Sequence, residues 1–332
     1  MRQPEVARLA TFLLALGLTA PLAPAACSML AAGAFLAEFL SDGRIPALSS
    51  LTAAPERRDL PVPGAAVDLY TLDRLVAGAP LVLVHGFAPE GKDDPRLRRA
   101  AVLLARAGFD VAVPTIPGLT RGRLRPPDVE AVVATVAARG GPTVLVGVSV
   151  GAGPALLAAA DPRVRDRITT VLSLGGYASA LELIRFYLTG EYAYGGVRGL
   201  AVHPPDVVRA FVEANADLLD APARGALATR DPARVARLLV DLPPDVKALL
   251  ERLSPLRVAR DIPGRLILVH GRADIAVPYT ESLRLAAARP ERTTLVLVGV
   301  VEHVEGAGGR WWQLGDLGRL WSAVYALLAG GA

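Results

Sequence analysis

Residues 143–160 read TVLVGVSVGAGPALLAAA, and this stretch decides the fold. It opens on a continuous apolar run, Thr143-Val144-Leu145-Val146, the pattern of a strand buried on both faces of a parallel sheet. It closes on helix formers from Pro154 onward. Between them stands Gly147-Val148-Ser149-Val150-Gly151, a G-x-S-x-G in strand–turn–helix setting, which presents a serine on a sharp turn. Glycine is needed on either side, because side chains there would collide with the neighbouring strand and helix. The helix N-terminus behind the serine favours negative charge developing on a reacting carbonyl.

Outward from this point the chain alternates. Leu81–Val84, Asp110–Val113, Thr169–Leu174, Leu266–Val269 and Thr294–Val298 are further short apolar runs, with helical periodicity over 96–107 and 128–139. Such alternation predicts an α/β fold: a mostly parallel sheet flanked by helices on both faces. From 178 to 258 the strand pattern stops, and amphipathic pieces such as 205–218 and 232–239 are broken by proline-rich turns. This insertion is expected to fold over the C-terminal edge of the sheet as a helical cap. The expected organisation is core over 66–177 and 259–330, cap over 178–258, and a linker over 41–65 rich in Pro, Ser and Arg.

A serine is a poor nucleophile at neutral pH unless a base stands beside it. Asp274 lies just past the strand at 266–269, and His303 follows the last strand. Strand ends converge on one edge of such a sheet, so Ser149, Asp274 and His303 are the expected nucleophile, orienting acid and general base. Glu182, after the strand ending at Leu174, is the second candidate acid. The backbone N–H groups of Val150 and Phe87 are the expected oxyanion donors. His85, directly before Gly86, reads as a loop-shaping residue and not as a base.

With His85-Gly86-Phe87, Gly147-Val148-Ser149-Val150-Gly151, His270-Gly271-Arg272-Ala273-Asp274 and His303 in place, residues 65–330 resemble the α/β-hydrolase-fold serine hydrolases. That broad group includes esterases, lipases and dienelactone-hydrolase-like proteins. The resemblance implies the fold, the triad and ester-type acyl transfer, and leaves the substrate open. Dienelactone hydrolases carry a cysteine at the position of Ser149, and dehalogenases and epoxide hydrolases an aspartate. The leading expectation is cleavage of a small-molecule or lipid carboxylic ester through an acyl-serine. Acyl transfer by the same triad, and a non-catalytic binding role on this fold, are the alternatives.

Composition narrows the rest. The chain has 332 residues, 52% of them apolar, enough for one large α/β domain with an insertion. Its 36 basic and 32 acidic residues are dispersed, with no basic stripe interleaved with aromatics, so no nucleic-acid partner is expected. A single cysteine, Cys27, excludes an intrachain disulfide. The four histidines show no metal-ligand spacing, so neither metal nor cofactor is expected.

Residues 9–37 carry no charge, with Arg2 and Arg8 before them and Glu38 and Asp42 after. About 20 apolar residues span a bilayer, and the basic flank stays cytoplasmic. Residues 1–40 are therefore expected to be a transmembrane anchor or export signal, with the catalytic domain on the non-cytoplasmic side. Ala23-Pro24-Ala25 resembles a signal-peptide cleavage site, and lipidation of Cys27 is a third route.

Overall fold

A computed structural model describes residues 22–74, 77–218, 231–299 and 314–330. The apolar runs form strands β3 (Ala79–Val84), β4 (Phe109–Pro114), β5 (Thr143–Val148), β6 (Ile168–Leu174), β9 (Arg265–Gly271) and β10 (Thr293–Val298). Two earlier strands, β1 (Glu56–Val62) and β2 (Ala65–Thr71), complete an eight-stranded sheet in the order β1-β2-β4-β3-β5-β6-β9-β10. β1 and β2 pair antiparallel, as do β2 and β4, and every later pairing is parallel.

Alternation along each strand divides the core between the two faces of the sheet. Leu81, Leu83, Val144 and Val146 pack with Leu97, Ala101 and Leu104 of α2 (Pro95–Arg106). Val82, Val84 and Leu145 pack with Val132 of α3 (Asp128–Arg139) and with Ala155 and Leu156 of α4 (Ala152–Ala159). Asp94 starts α2 by accepting from the N–H groups of Arg96 and Leu97, with Pro95 as the first helical residue.

Three sequence expectations change. The segment 41–65 is no linker: it contributes β1 and is tied down before it. Glu38 accepts from the N–H groups of Leu48 (2.7 Å) and Ser49 (3.0 Å), and Arg106 donates to the carbonyl of Thr52 at 2.7 Å. The residues that read as linker-like suit an edge strand, where charges and Pro61 discourage further pairing and cost no ladder bond.

The helical cap also contains a β-hairpin, β7 (Glu191–Tyr194) with β8 (Val197–Leu200). Gly195 and Gly196 form its turn at φ 58° and 83°, the left-handed pair that a two-residue hairpin loop requires. Around the hairpin lie α5 (Ala180–Thr189), α6 (Pro205–Ala214), α7 (Pro232–Val240) and α8 (Pro244–Arg252).

Finally, the apolar N-terminal run does not stand wholly apart from the domain. Residues Leu22–Leu40 form α1, which packs against the C-terminal helix α10 (Leu314–Gly330). Ala32 and Leu36 of α1 are buried in one cluster with Leu320, Ala323 and Leu327 of α10, and the Trp321 indole N–H donates to the Met29 carbonyl at 3.1 Å. Among the described residues no helix is long and apolar enough to cross a membrane. Residues 1–21, the rest of the expected anchor, lie outside the described residues.

Candidate active site

β5 ends at Val148, a single helical turn spans Ser149–Gly151, and α4 begins at Ala152. Ser149 has φ 54°, a left-handed backbone that L-residues avoid and that marks strain held by its surroundings. Those surroundings are close. A Cβ on Gly147 would stand 2.5 Å from Cα of Ala152, and one on Gly151 would meet the His85 carbonyl oxygen at 2.0 Å. Gly86 faces the serine itself: a Cβ there would lie 3.0 Å from Cβ of Ser149. The β3 loop therefore lies against the elbow, with Phe87 next in the chain after Gly86 and Val150 next after Ser149. Phe87 and Val150 are the two residues whose N–H groups are the expected oxyanion donors.

His85 is buried, and both ring nitrogens are engaged: Nδ1–H donates to the Gly86 carbonyl at 2.7 Å, and Nε2 accepts from the Ile116 N–H at 2.9 Å. Burial pushes its imidazole below the ordinary range. It ties the β3 loop to the β4 loop, as a loop-shaping residue does.

Asp274 follows β9 and is 6% exposed. Its Oδ1 accepts from the N–H groups of Ala276 (2.8 Å) and Val277 (2.9 Å), which closes a tight turn and aims the carboxylate. In the sheet, β6 alone separates β5 from β9. Two strand spacings, roughly 10 Å, thus lie between the strand leading to Ser149 and that leading to Asp274. His303, the expected base, lies outside the described residues. Glu182, the second candidate acid, is in the first turn of α5 and faces Arg185 and Arg284 at 3.5 and 3.4 Å.

Two further buried residues, His270 and Tyr187, had no expected role. His270 is fully buried, with Nε2 3.4 Å from Oδ2 of Asp274. The same Nε2 donates to the Val277 carbonyl at 2.9 Å, and Nδ1 accepts from the Ser282 hydroxyl at 2.7 Å. The i,i+4 spacing of His270 and Asp274 across a strand end was the available signal. Tyr187 of α5 is buried as well, and its phenol is pushed far above its ordinary value, first by burial and then by the charge of Asp274. Its ring stacks on Phe211 at 4.7 Å and on His203 at 5.5 Å.

The cap is rooted in the core by charge. Glu281, in α9 (Thr280–Ala288), is 1% exposed and accepts from the N–H groups of Ala178 (3.0 Å) and Ser179 (2.8 Å), where the cap begins. Arg284 donates to Glu281 at 3.0 Å and to the hairpin carbonyl of Ala193 at 2.8 Å, and it lies over the Tyr194 ring at 4.6 Å. Among the described residues no cluster of His, Cys, Asp and Glu is arranged to hold a metal ion.

No protein-family model matches the chain, and no curated protein does. Solved structures do. A puromycin-hydrolysing peptidase from Mycobacterium tuberculosis is similar at 18% identity and a TM-score of 0.54, over 87% of this chain and 40% of that one. An acylaminoacyl peptidase from Pyrococcus horikoshii is similar at 15% identity and a TM-score of 0.50, over 76% of this chain and 38% of that one. The chain spans about two fifths of the length of either enzyme. Strand order, elbow and structural likeness agree: the chain has the α/β-hydrolase fold.

Proposed function

We propose that the chain is a serine hydrolase that cleaves a carboxylic ester through an acyl-Ser149 intermediate. The observation that carries this reading is the strained Ser149, at φ 54° between β5 and α4 and pressed against Gly86. In the proposed reaction His303 takes the Ser149 proton as Oγ adds to the ester carbonyl, and the N–H groups of Phe87 and Val150 receive the oxyanion. His303 then returns the proton to the departing alcohol. Water repeats the sequence, releasing the acid and restoring the serine. Asp274 holds the imidazole in the right tautomer and stabilises the imidazolium.

A fluorophosphonate probe tests the nucleophile. The expected result is one adduct, on the peptide containing Ser149, absent from Ser149→Ala. An adduct elsewhere, or none on folded protein, removes the assignment. The two structural neighbours named above are peptidases, which favours amide cleavage as a second reading. Matched ester and amide substrates separate the two, and an added alcohol acceptor separates hydrolysis from acyl transfer.

We also propose that the enzyme acts at or beyond a membrane, on the side opposite Arg2 and Arg8. The support is the uncharged run at 9–37 and its basic flank.

A further inference from the structure

Two contacts fix the level of α10 on the sheet. Near its start, Asp316 accepts from the Gly299 N–H at 2.6 Å, just past the end of β10. At its last residue, a Cβ on Gly330 would lie 2.8 Å from Oγ1 of Thr170, near the start of β6. α10 therefore descends from the edge of the sheet that carries Ser149 and Asp274 to the opposite edge. α1 descends beside it. Its Met29 carbonyl meets the Trp321 indole, and further along Glu38 holds the N–H groups of Leu48 and Ser49. The Ser49 carbonyl in turn accepts from Arg106 at 3.2 Å, at the end of α2 that leads into the start of β4. At about 1.5 Å per helical residue, Trp321 lies roughly 7 Å below Asp316, and Leu22 roughly 10 Å above Met29. The first turn of α1 is thus level with the edge that carries Ser149, or just beyond it.

Leu22 is entered from residues 9–21, which carry no charge. That run falls short of the roughly 20 residues that cross a bilayer, so a span begun there must draw on the first turns of α1. Ala32 and Leu36 of the same helix are already buried in the domain, so no flexible linker separates such a span from the fold. Most of the exposed apolar side chains belong to this end of the molecule. Met29 and Leu30 of α1 are 45% and 77% exposed. The cap stands on this edge too: it begins at Ala178 after β6 and is tied to the β4 loop through Arg125 and Asp217 at 2.9 Å. On it Leu200, Val202, Val207 and Val240 are exposed, and Ile275 is exposed beside Asp274. Of the large apolar side chains exposed among the described residues, only Ile45 and Leu51 lie elsewhere, past the far end of α1.

Resting on the membrane placement proposed above, we infer that the sheet edge carrying Ser149 and Asp274, together with the cap, is docked on the lipid bilayer by α1. Direction and distance both follow from the helix. Had α1 entered from the opposite edge, the same anchor would turn Ser149 away from the membrane. Because α1 is one continuous helix from Leu22 to Leu40, roughly 15 Å of it separates its first residue from the buried Ala32. Single exposed apolar side chains need no partner. Here they stand at the end of the molecule where the uncharged chain enters, and one leaflet can take them from water together.

The test uses the full chain with Cys27→Ser, reconstituted in phosphatidylcholine vesicles and carrying one new cysteine at a time. Val202→Cys and Ile275→Cys report on the proposed face, and Leu51→Cys on the far end. All three positions are exposed and outside the proposed triad. Melting temperatures confirm that each variant folds, and Val202→Cys decides alone if Ile275→Cys does not. Each cysteine carries an environment-sensitive nitrobenzoxadiazole probe, and nitroxide-labelled lipids quench any probe that reaches the leaflet. Flotation with the vesicles reads the anchor independently of the probes. The expected result is flotation, with a blue shift and quenching at positions 202 and 275 several-fold stronger than at 51. Flotation with quenching strongest at 51, equal at all three, or absent from all three overturns the docking. A blue shift at 202 and 275 that grows with protein concentration, without lipid quenching, means that a second copy covers the face and overturns it as well. Full chain that does not float removes the membrane placement itself, and fluorophosphonate labelling of Ser149 tests the hydrolase reading apart from both.

Discussion

Nε2 of His270 lies 3.4 Å from Oδ2 of Asp274, in a pocket where the histidine is wholly buried and the carboxylate nearly so. The imidazole is itself fixed, between the Ser282 hydroxyl and the Val277 carbonyl. Asp274 is thus braced on two sides: the turn it closes with Ala276 and Val277 holds Oδ1, and His270 stands beside Oδ2. The acid of the proposed triad is positioned before any substrate arrives.

Asp274→Asn should keep the fold and lose the chemistry. The amide oxygen can still accept from the N–H groups of Ala276 and Val277, so the turn survives. Without the carboxylate the general base is held in the wrong tautomer, and turnover should fall by roughly 10⁴. Paired turnover and melting measurements check this; near-normal turnover would return Glu182 or another carboxylate to consideration.

His270 should act through Asp274 and not on substrate. His270→Ala leaves a void beside the carboxylate, and a misplacement of about 1 Å at a catalytic group costs roughly 10² in rate. The expected signature is a fall in kcat and in the rate of Ser149 labelling, with KM little changed. Ser282→Ala, which removes only the hydroxyl bond to Nδ1, should cost about 1 kcal/mol of stability and much less activity. A KM effect without a kcat effect would assign His270 to binding instead.

His85 should make the protein acid-sensitive. An imidazole in the unfolded chain takes up its proton near pH 6.5, whereas burial lowers the value in the folded protein. The unfolded state then binds more protons between the two values, so stability is retained above about 6.5 and lost as pH falls through that window. Protonation also breaks the Ile116 N–H bond that joins the β3 and β4 loops. Denaturant melts of wild type and His85→Gln between pH 4 and 8 should show a slope in the former and a flatter response in the latter.

Truncation should distinguish the two parts of the apolar N-terminus. Deleting residues 1–21 leaves α1 on α10 and should give active protein with an unchanged melting temperature. Deleting residues 1–40 also removes Leu36 and Ala32 from their cluster with Leu320 and Ala323. Loss of one buried leucine contact surface costs about 1.5–3 kcal/mol, so the longer deletion should melt earlier and expose apolar surface. Carbonate extraction and protease access on intact cells test the proposed membrane placement, which full-length protein in the soluble cytoplasmic fraction would contradict.

Local pattern alone carried the parallel strands, most of their helices, the serine elbow, the place of Asp274 just past β9 and the loop role of His85. Each rests on a signal within a few residues: a continuous apolar run, a helical period, or a glycine that close packing demands. Strand β1 escaped because an edge strand keeps its charges and proline, which in a sequence look like a linker. The Gly195-Gly196 hairpin escaped because its strands are four residues each and half exposed. The C-terminal part of the longest apolar stretch folds as α1, because apolarity measures only the drive to leave water. A neighbouring helix satisfies that drive as well as a bilayer, and in α1 the partner is α10, almost three hundred residues away. The same holds for the contacts that shape the site. The Glu281 and Arg284 links to the cap exist only once the sheet order brings distant loops to one edge.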